Sequence, residues 1–279
     1  MERGLVLRQH FFGADSEEVW SACKTVGEMC NLLAMTYLQQ EDYNLVLELL
    51  KKAEILTERD PPARAATFNN FACYYRRQGK LHAALQYLQK ALKIESKITN
   101  VQNPADTHIN ACAVLSQLGR HQTALEHAQS ALILLQEELL QPPGSTSAGA
   151  PPKADRIAVL AIAYHNIGVE NEFLKRYEQS MLSYRKGVEV AERYLGAKHA
   201  IAITLKNSLI AAKKLAATND KKSKSAKSGP SSSSNGKMPP VSGGSGNRKP
   251  GDKNVSSLAD AMTVDLGVDG PTLPAIGKK

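Results

Sequence analysis

No stretch of this 279-residue chain is apolar for long enough to span a membrane, which takes about 20 such residues in a row. The opening residues, MERGLVLRQHFF, hold too short an apolar core for a secretory signal. Cysteine is scarce. Cys23, Cys30, Cys73 and Cys112 all fall in segments of helical pattern, which excludes a disulfide framework and fits a reducing, cytoplasmic setting. Glycine-rich phosphate loops are absent, because Gly168 and Gly187 stand alone. The seven histidines show no metal-ligand spacing, and His121 and His127, six apart, face different ways on a helix. Cys23 and Cys30, seven apart, share a helical face, as packed small hydrophobes do. No grouping of Ser, His and Asp stands out. The chain is therefore expected to be no enzyme, with no catalytic residue, cofactor, metal or small-molecule substrate. The basic excess is also local. Residues 1–219 hold 25 basic and 22 acidic side chains, against 10 and 5 in residues 220–279, so the main body offers nucleic acid little.

What the chain does have is helical hairpins. Residues 65–94 read AATFNNFACYYRRQGKLHAALQYLQKALKI. Phe68, Phe71, Ala72 and Tyr75 recur at helical spacing, and so do Leu81, Ala84, Leu85, Leu88, Ala91 and Leu92 after the turn Gln78-Gly79-Lys80. Small residues mark close backbone approach and large ones fill holes. Such a hairpin cannot bury its own apolar faces and needs neighbours.

The chain supplies them at a near-constant period. A first hairpin carries Cys30, Leu33, Ala34 and Tyr37, then Val46, Leu50 and Ala53 beyond the turn at Glu41-Asp42. Ala72 follows Ala34 by 38 residues, and Cys112 follows Ala72 by 40. The third hairpin turns at Leu118-Gly119-Arg120 and keeps the small positions Ala124, Ala128 and Ala131, with His108 in place of an aromatic. The fourth holds Tyr164, Ile167, Gly168, Tyr177, Ser180, Tyr184 and Gly187. Gly168 comes 56 residues after Cys112, or 44 once the twelve residues QPPGSTSAGAPP (141–152) are set aside as a flexible insertion. Asn207 follows Asn166 by 41, which makes 198–217 the first helix of a repeat with no second, a cap bearing Lys206, Lys213 and Lys214. Residues 1–15 read as irregular, with Asp15 or Ser16 capping the helix that follows. Residues 218–279, rich in Ser, Gly, Lys and Pro, read as a disordered basic tail. Within it, Leu258, Met262 and Leu266 of VSSLADAMTVDL (255–266) would share one helical face.

The pattern Phe68, Phe71-Ala72, Tyr75, Ala84, Leu88, Ala91 resembles the tetratricopeptide repeat. YLGAKHAIAITLKNSLIAA, near the C-terminal end of the pattern, is similar to the repeats of kinesin light chains. The resemblance implies an all-α, right-handed solenoid over residues 16–217, with repeats at about 27–60, 65–98, 105–140 and 157–195 and the capping helix 198–217. It implies a protein–protein scaffold or adaptor, and kinship with motor-adaptor repeats points to a cytoskeletal or ciliary setting. Chaperone cofactors of this family grip a terminal carboxylate with lysines, an arginine and asparagines. Here Asn70 fits that clamp, whereas Asn31, Met35, Asp106 and Asn110 do not. Moving one repeat along, to Asn69, Cys73, Asn110, Ile162 and Asn166, fits no better.

Asn70, Asn110, Asn166 and Asn207 occupy one slot on successive first helices, which in this family faces the concave groove. An amide both donates and accepts, so such a row can hold the backbone of an extended peptide, or each amide can bond a neighbouring helix. Arg76, Arg77, His165 and Lys206 lie close by in sequence and lean the groove positive, toward a peptide with acidic side chains. The tail has three readings: a solvated linker, a contact for an acidic polymer or a linear motif, and its 255–266 segment is within reach of the groove.

Overall fold

A computed structural model of the chain describes residues 2–99, 103–140 and 154–226. Within these, ten helices form the regular structure: α1 (Glu2–Phe12), α2 (Glu17–Gln39), α3 (Tyr43–Leu56), α4 (Pro61–Arg77), α5 (Leu81–Glu95), α6 (Pro104–Gln117), α7 (His121–Leu140), α8 (Ala154–Phe173), α9 (Tyr177–Tyr194) and α10 (Ala200–Ala226). From α2 to α9 they pair as four antiparallel hairpins, and α10 packs on α9 and α8.

Local chemistry sets the boundaries. Ser16 Oγ accepts from Val19 N at 3.3 Å and starts α2, with Glu17 and Glu18 at its positive end. Asp42 and Asp60 cap α3 and α4 in the same way, accepting from Leu45 N and Ala63 N. Pro61 and Pro104 stand first in α4 and α6, where a missing N–H does no harm. All four hairpins turn alike. One residue adopts a left-handed backbone, and the next N–H returns to the carbonyl five residues back. Thus Lys80 N bonds Tyr75 O at 2.9 Å, and Arg120 N bonds Leu115 O at 2.9 Å. Asp42 N bonds Tyr37 O at 3.2 Å, and Arg176 N bonds Asn171 O at 2.7 Å. Glycine fills the left-handed position in two turns (Gly79, Gly119), whereas Glu41 and Lys175 fill it in the others.

The core is a series of small clusters strung along the stack, as expected when each repeat packs mainly on its neighbours. The small positions are closed: Ala34, Ala53, Ala72, Ala84, Ala91, Cys112, Ala124, Ala128 and Ala131 are buried.

Two boundaries differ from the sequence expectation. Residues 1–15 are not irregular, because α1 forms, lies against α2 and ends at Gly13, whose φ is +83°. Its apolar residues sit all round the helix and so give no period to read. The capping helix also runs past residue 217 to Ala226, through TNDKKSKSA, where Lys221, Lys222, Lys224 and Ala226 favour a helix and the Thr, Asn, Asp and Ser residues do not. The insertion 141–152 and the tail from residue 227 lie outside the described residues.

Candidate peptide-binding face

The first helices α2, α4, α6, α8 and α10 each touch the next, so their inner sides make one continuous face. The first helices also bury most of the polar groups. Ten of the twelve buried polar or charged residues among those described lie on α2, α4, α6 and α8, the exceptions being Thr57 and Ser180. The second helices bury almost purely apolar side chains.

Amides run along this face. Asn31 donates to Thr67 Oγ1 at 2.8 Å, and Asn70 donates to Asn31 Oδ1 at 3.1 Å, tying α2 to α4. Asn110 donates to Asn69 Oδ1 at 3.0 Å and ties α4 to α6, while its own buried Oδ1 has no partner. Asn166 is buried beside His165 on α8, and Asn207 is exposed on α10. Of the two roles open to these asparagines, Asn70 and Asn110 thus take the bond to a neighbouring helix, and Asn207 stays open. Asn31 and Asn69 were outside the expected row. The signal for them was the period itself, since each precedes its partner by about one repeat (39 and 41 residues).

The flanking residues divide too. Arg76 and His165 are buried, whereas Arg77 and Lys206 are partly exposed. Lys206 pairs with Glu192 of α9. His165 Nε2 lies 3.2 Å from Ser208 Oγ, joining α8 to α10. Burial pushes the pKa of His165 down to about 4, from 6.5. His108 Nδ1 sits 3.0 Å from His127 Nδ1. Burial first, and then the His127 charge, lower His108 to about 4 as well.

These shifts fix the sign of an acid response. A histidine depressed in the fold stays neutral while its unfolded counterpart takes a proton. Its contribution is intact above pH 6.5 and is lost as pH falls toward about 4. For His165 that loss is about 3 kcal/mol at two pH units or so below 6.5. Replacing His165 with Phe should flatten the fall in melting temperature between pH 7 and pH 4.5. Because the buried acids Glu95, Asp106 and Glu170 titrate in both proteins, the difference isolates this ring. Parallel curves for the two proteins would show that His165 is not held neutral.

Two buried ionic clusters had no signal in the sequence, because their members come one per helix. Arg156 of α8 holds Glu138 of α7 in a fork (2.8–3.1 Å) and Asp106 of α6 at 2.9 Å. Glu170 of α8 is met by His121 Nδ1 at 2.8 Å, and the His121 ring stacks on Phe173 at 4.1 Å. Among the described residues no three His, Cys, Asp or Glu side chains gather as metal ligands would, and no helix is long and apolar enough to cross a membrane.

Two family models, both for the tetratricopeptide repeat, match residues 27–96 and 161–194. No curated protein matches the chain. Among solved structures, BtubC (BKLC) from P. vanneervenii is 16% identical, with a TM-score of 0.60 over 88% of this chain and 96% of that one. A Podosopora anserina protein described as a kinesin light chain with nearly identical TPR-like repeats is 14% identical, with a TM-score of 0.52 over 71% of this chain and 90% of its own. At these identities the likeness is one of fold. Family match, hairpin geometry and period agree: the chain carries tetratricopeptide repeats at residues 27–96 and 161–194, in a fold it shares with these two structures.

Proposed function

We propose that the protein is a non-enzymatic scaffold that holds an extended segment of a partner protein along its first-helix face. The observation that carries this reading is the concentration of buried polar groups on the first helices, which leaves the second helices to hold the stack together. Amides suit a peptide backbone because they pair with N–H and C=O whatever the side chains are. Asn207 is the exposed member of the row, Asn166 lies one repeat before it, and Arg77 and Lys206 add positive charge at the rim. A partner segment with acidic side chains fits that lean. The chaperone-cofactor reading loses support, because Asp106, standing where the clamp needs a lysine, is held by Arg156. A cytoskeletal or ciliary adaptor in the cytoplasm is a narrower form of the same proposal. It is favoured by the kinesin-light-chain likeness and by the excess of basic over acidic residues in 220–279.

The test is a peptide-array screen with the full chain, followed by calorimetric titration of the best binder. Asn166→Ala combined with Asn207→Ala should weaken binding about tenfold or more, a loss of roughly 1.4 kcal/mol. Asn207→Ala alone should leave the melting temperature unchanged. Equal affinity for the double variant and the natural protein would remove the amide row from the mechanism.

A further inference from the structure

One exposed side of α10 is an unfinished surface. Ile203 is 47% exposed and Ile210 is 51% exposed, and seven residues apart they share one stripe. Their counterparts one repeat earlier, 41 residues back, are Ile162 and Val169, and both are buried. These are positions that the stack covers elsewhere. Among the described residues no helix follows α10. Leu209 stands where the fourth repeat has Gly168, and it already packs into the cluster that holds Tyr184. The stripe is also basic. Lys213 and Lys214 flank it, Lys206 beside them is paired with Glu192, and no acidic residue occurs from Ala200 to Asn219.

We propose that residues 255–266 of the same chain, VSSLADAMTVDL, dock on this stripe and close the open end of the stack. The segment matches it in kind. Leu258, Met262 and Leu266 recur every four residues, as a helix presenting one apolar side requires, and the twelve residues hold Asp260 and Asp265 with no lysine or arginine. It can also reach. Residues 227–254 form a 28-residue link after α10. A chain of that length spans about 30 Å on average. Ile210 lies sixteen residues before Ala226, about 24 Å back along the helix. The amide row along α2, α4 and α6 is the poorer seat for these side chains, because it is polar while theirs are leucine and methionine. This inference does not rest on the peptide-binding reading. Asn207, four residues after Ile203 and three before Ile210, borders the same stripe, and hydrogen exchange run without any partner peptide separates the two readings.

The experiment is hydrogen exchange on the full chain, read over residues 203–219. Leu258→Asp with Met262→Asp should speed exchange there at least threefold, and leave α4 to α7 unchanged. Charge reversal gives a second reading. Lys213→Glu with Lys214→Glu should speed exchange in the same peptide, and adding Asp260→Lys with Asp265→Lys should restore it. A full chain carrying Ile210→Cys and Met262→Cys should form a disulfide at monomer mass under mild oxidation. Exchange unaltered by the Leu258 and Met262 changes would overturn the proposal. Disulfide-linked dimers would do so equally, by assigning the stripe to a second copy.

Discussion

Replacing Gly168 with alanine should lower the stability of the protein by about 3 kcal/mol or more, although it adds a single methyl group. In α8 a Cβ at this position would stand 2.6 Å from Tyr184 Cδ1 and 2.7 Å from Cζ, and closer still to Cε1. The ring has nowhere to go. Tyr184 is about 1% exposed, set among Ala161, Ala191, Ala202 and Leu205. Burial first, and then the neighbouring Glu172 charge, push its pKa far up. Overpacking a closed site typically costs 1–3 kcal/mol, and a contact this short on a trapped ring belongs at the upper end. In melting temperature that is about 6–12 °C for a body of this size. Because repeats couple mainly to their neighbours, the loss should appear first as early opening of α8 to α10 in hydrogen exchange. Gly4→Ala in α1, where a Cβ meets nothing within 4 Å, is the matched control and should be neutral or mildly stabilising. Trimming the ring with Tyr184→Leu should make the double change less than additive. A Gly168→Ala protein that melts with the natural one would mean that α8 and α9 do not cross as described.

Gly168 also shows why the stack was legible from sequence. A repeat writes the same packing problem several times, so a small residue at a fixed period marks where two backbones close. The positions Ala34, Ala72, Cys112 and Gly168 place the hairpins before any contact is known. Left-handed turn residues were readable where glycine supplies them, at Gly79 and Gly119. At Lys175, an ordinary side chain adopts the same backbone and gives no sign. α1 escaped for the opposite reason: its apolar residues surround the helix, and periodicity needs two unlike faces. The functional face was legible only in part. Period places the asparagines on one side of the first helices. Whether an amide turns to a partner or to its neighbour depends on rotamers and helix spacing. Asn70 lies within reach of Asn31, and Asn110 within reach of Asn69, so both close on the protein itself. The ionic clusters were illegible, because Arg156 meets residues 18 and 50 positions away on two other helices.

Arg156 is where the largest electrostatic effect should appear. It is one of the polar links between repeats three and four, beside His121–Glu170. Its guanidinium is about nine-tenths buried, and Asp106 is nearly as enclosed (10% and 13% side-chain exposure), whereas Glu138 is 40% exposed. Methionine at 156 keeps most of the volume and removes the charge. Glu138 then turns to solvent at little cost, but Asp106 cannot. Removing one partner of a buried pair costs about 3–5 kcal/mol, because the remaining charge is left desolvated. The pH dependence separates that cause from lost packing. Burial already raises the Asp106 pKa, against the pull of Arg156. Without the arginine it rises further. An acid whose folded pKa exceeds its unfolded one takes up a proton more readily in the fold, so the variant regains stability as pH falls through the raised value. The gap in melting temperature between natural protein and Arg156→Met should therefore be widest near pH 7 and should narrow by pH 5. Adding Asp106→Asn should recover part of the loss at pH 7 and abolish the narrowing. A gap that stays constant with pH would assign the cost to packing. No gap at all would reduce the cluster to the worth of a surface ion pair, about 0–1 kcal/mol, and leave the joint between the two repeats to its apolar contacts and the His121–Glu170 and Gln136–Tyr164 bonds.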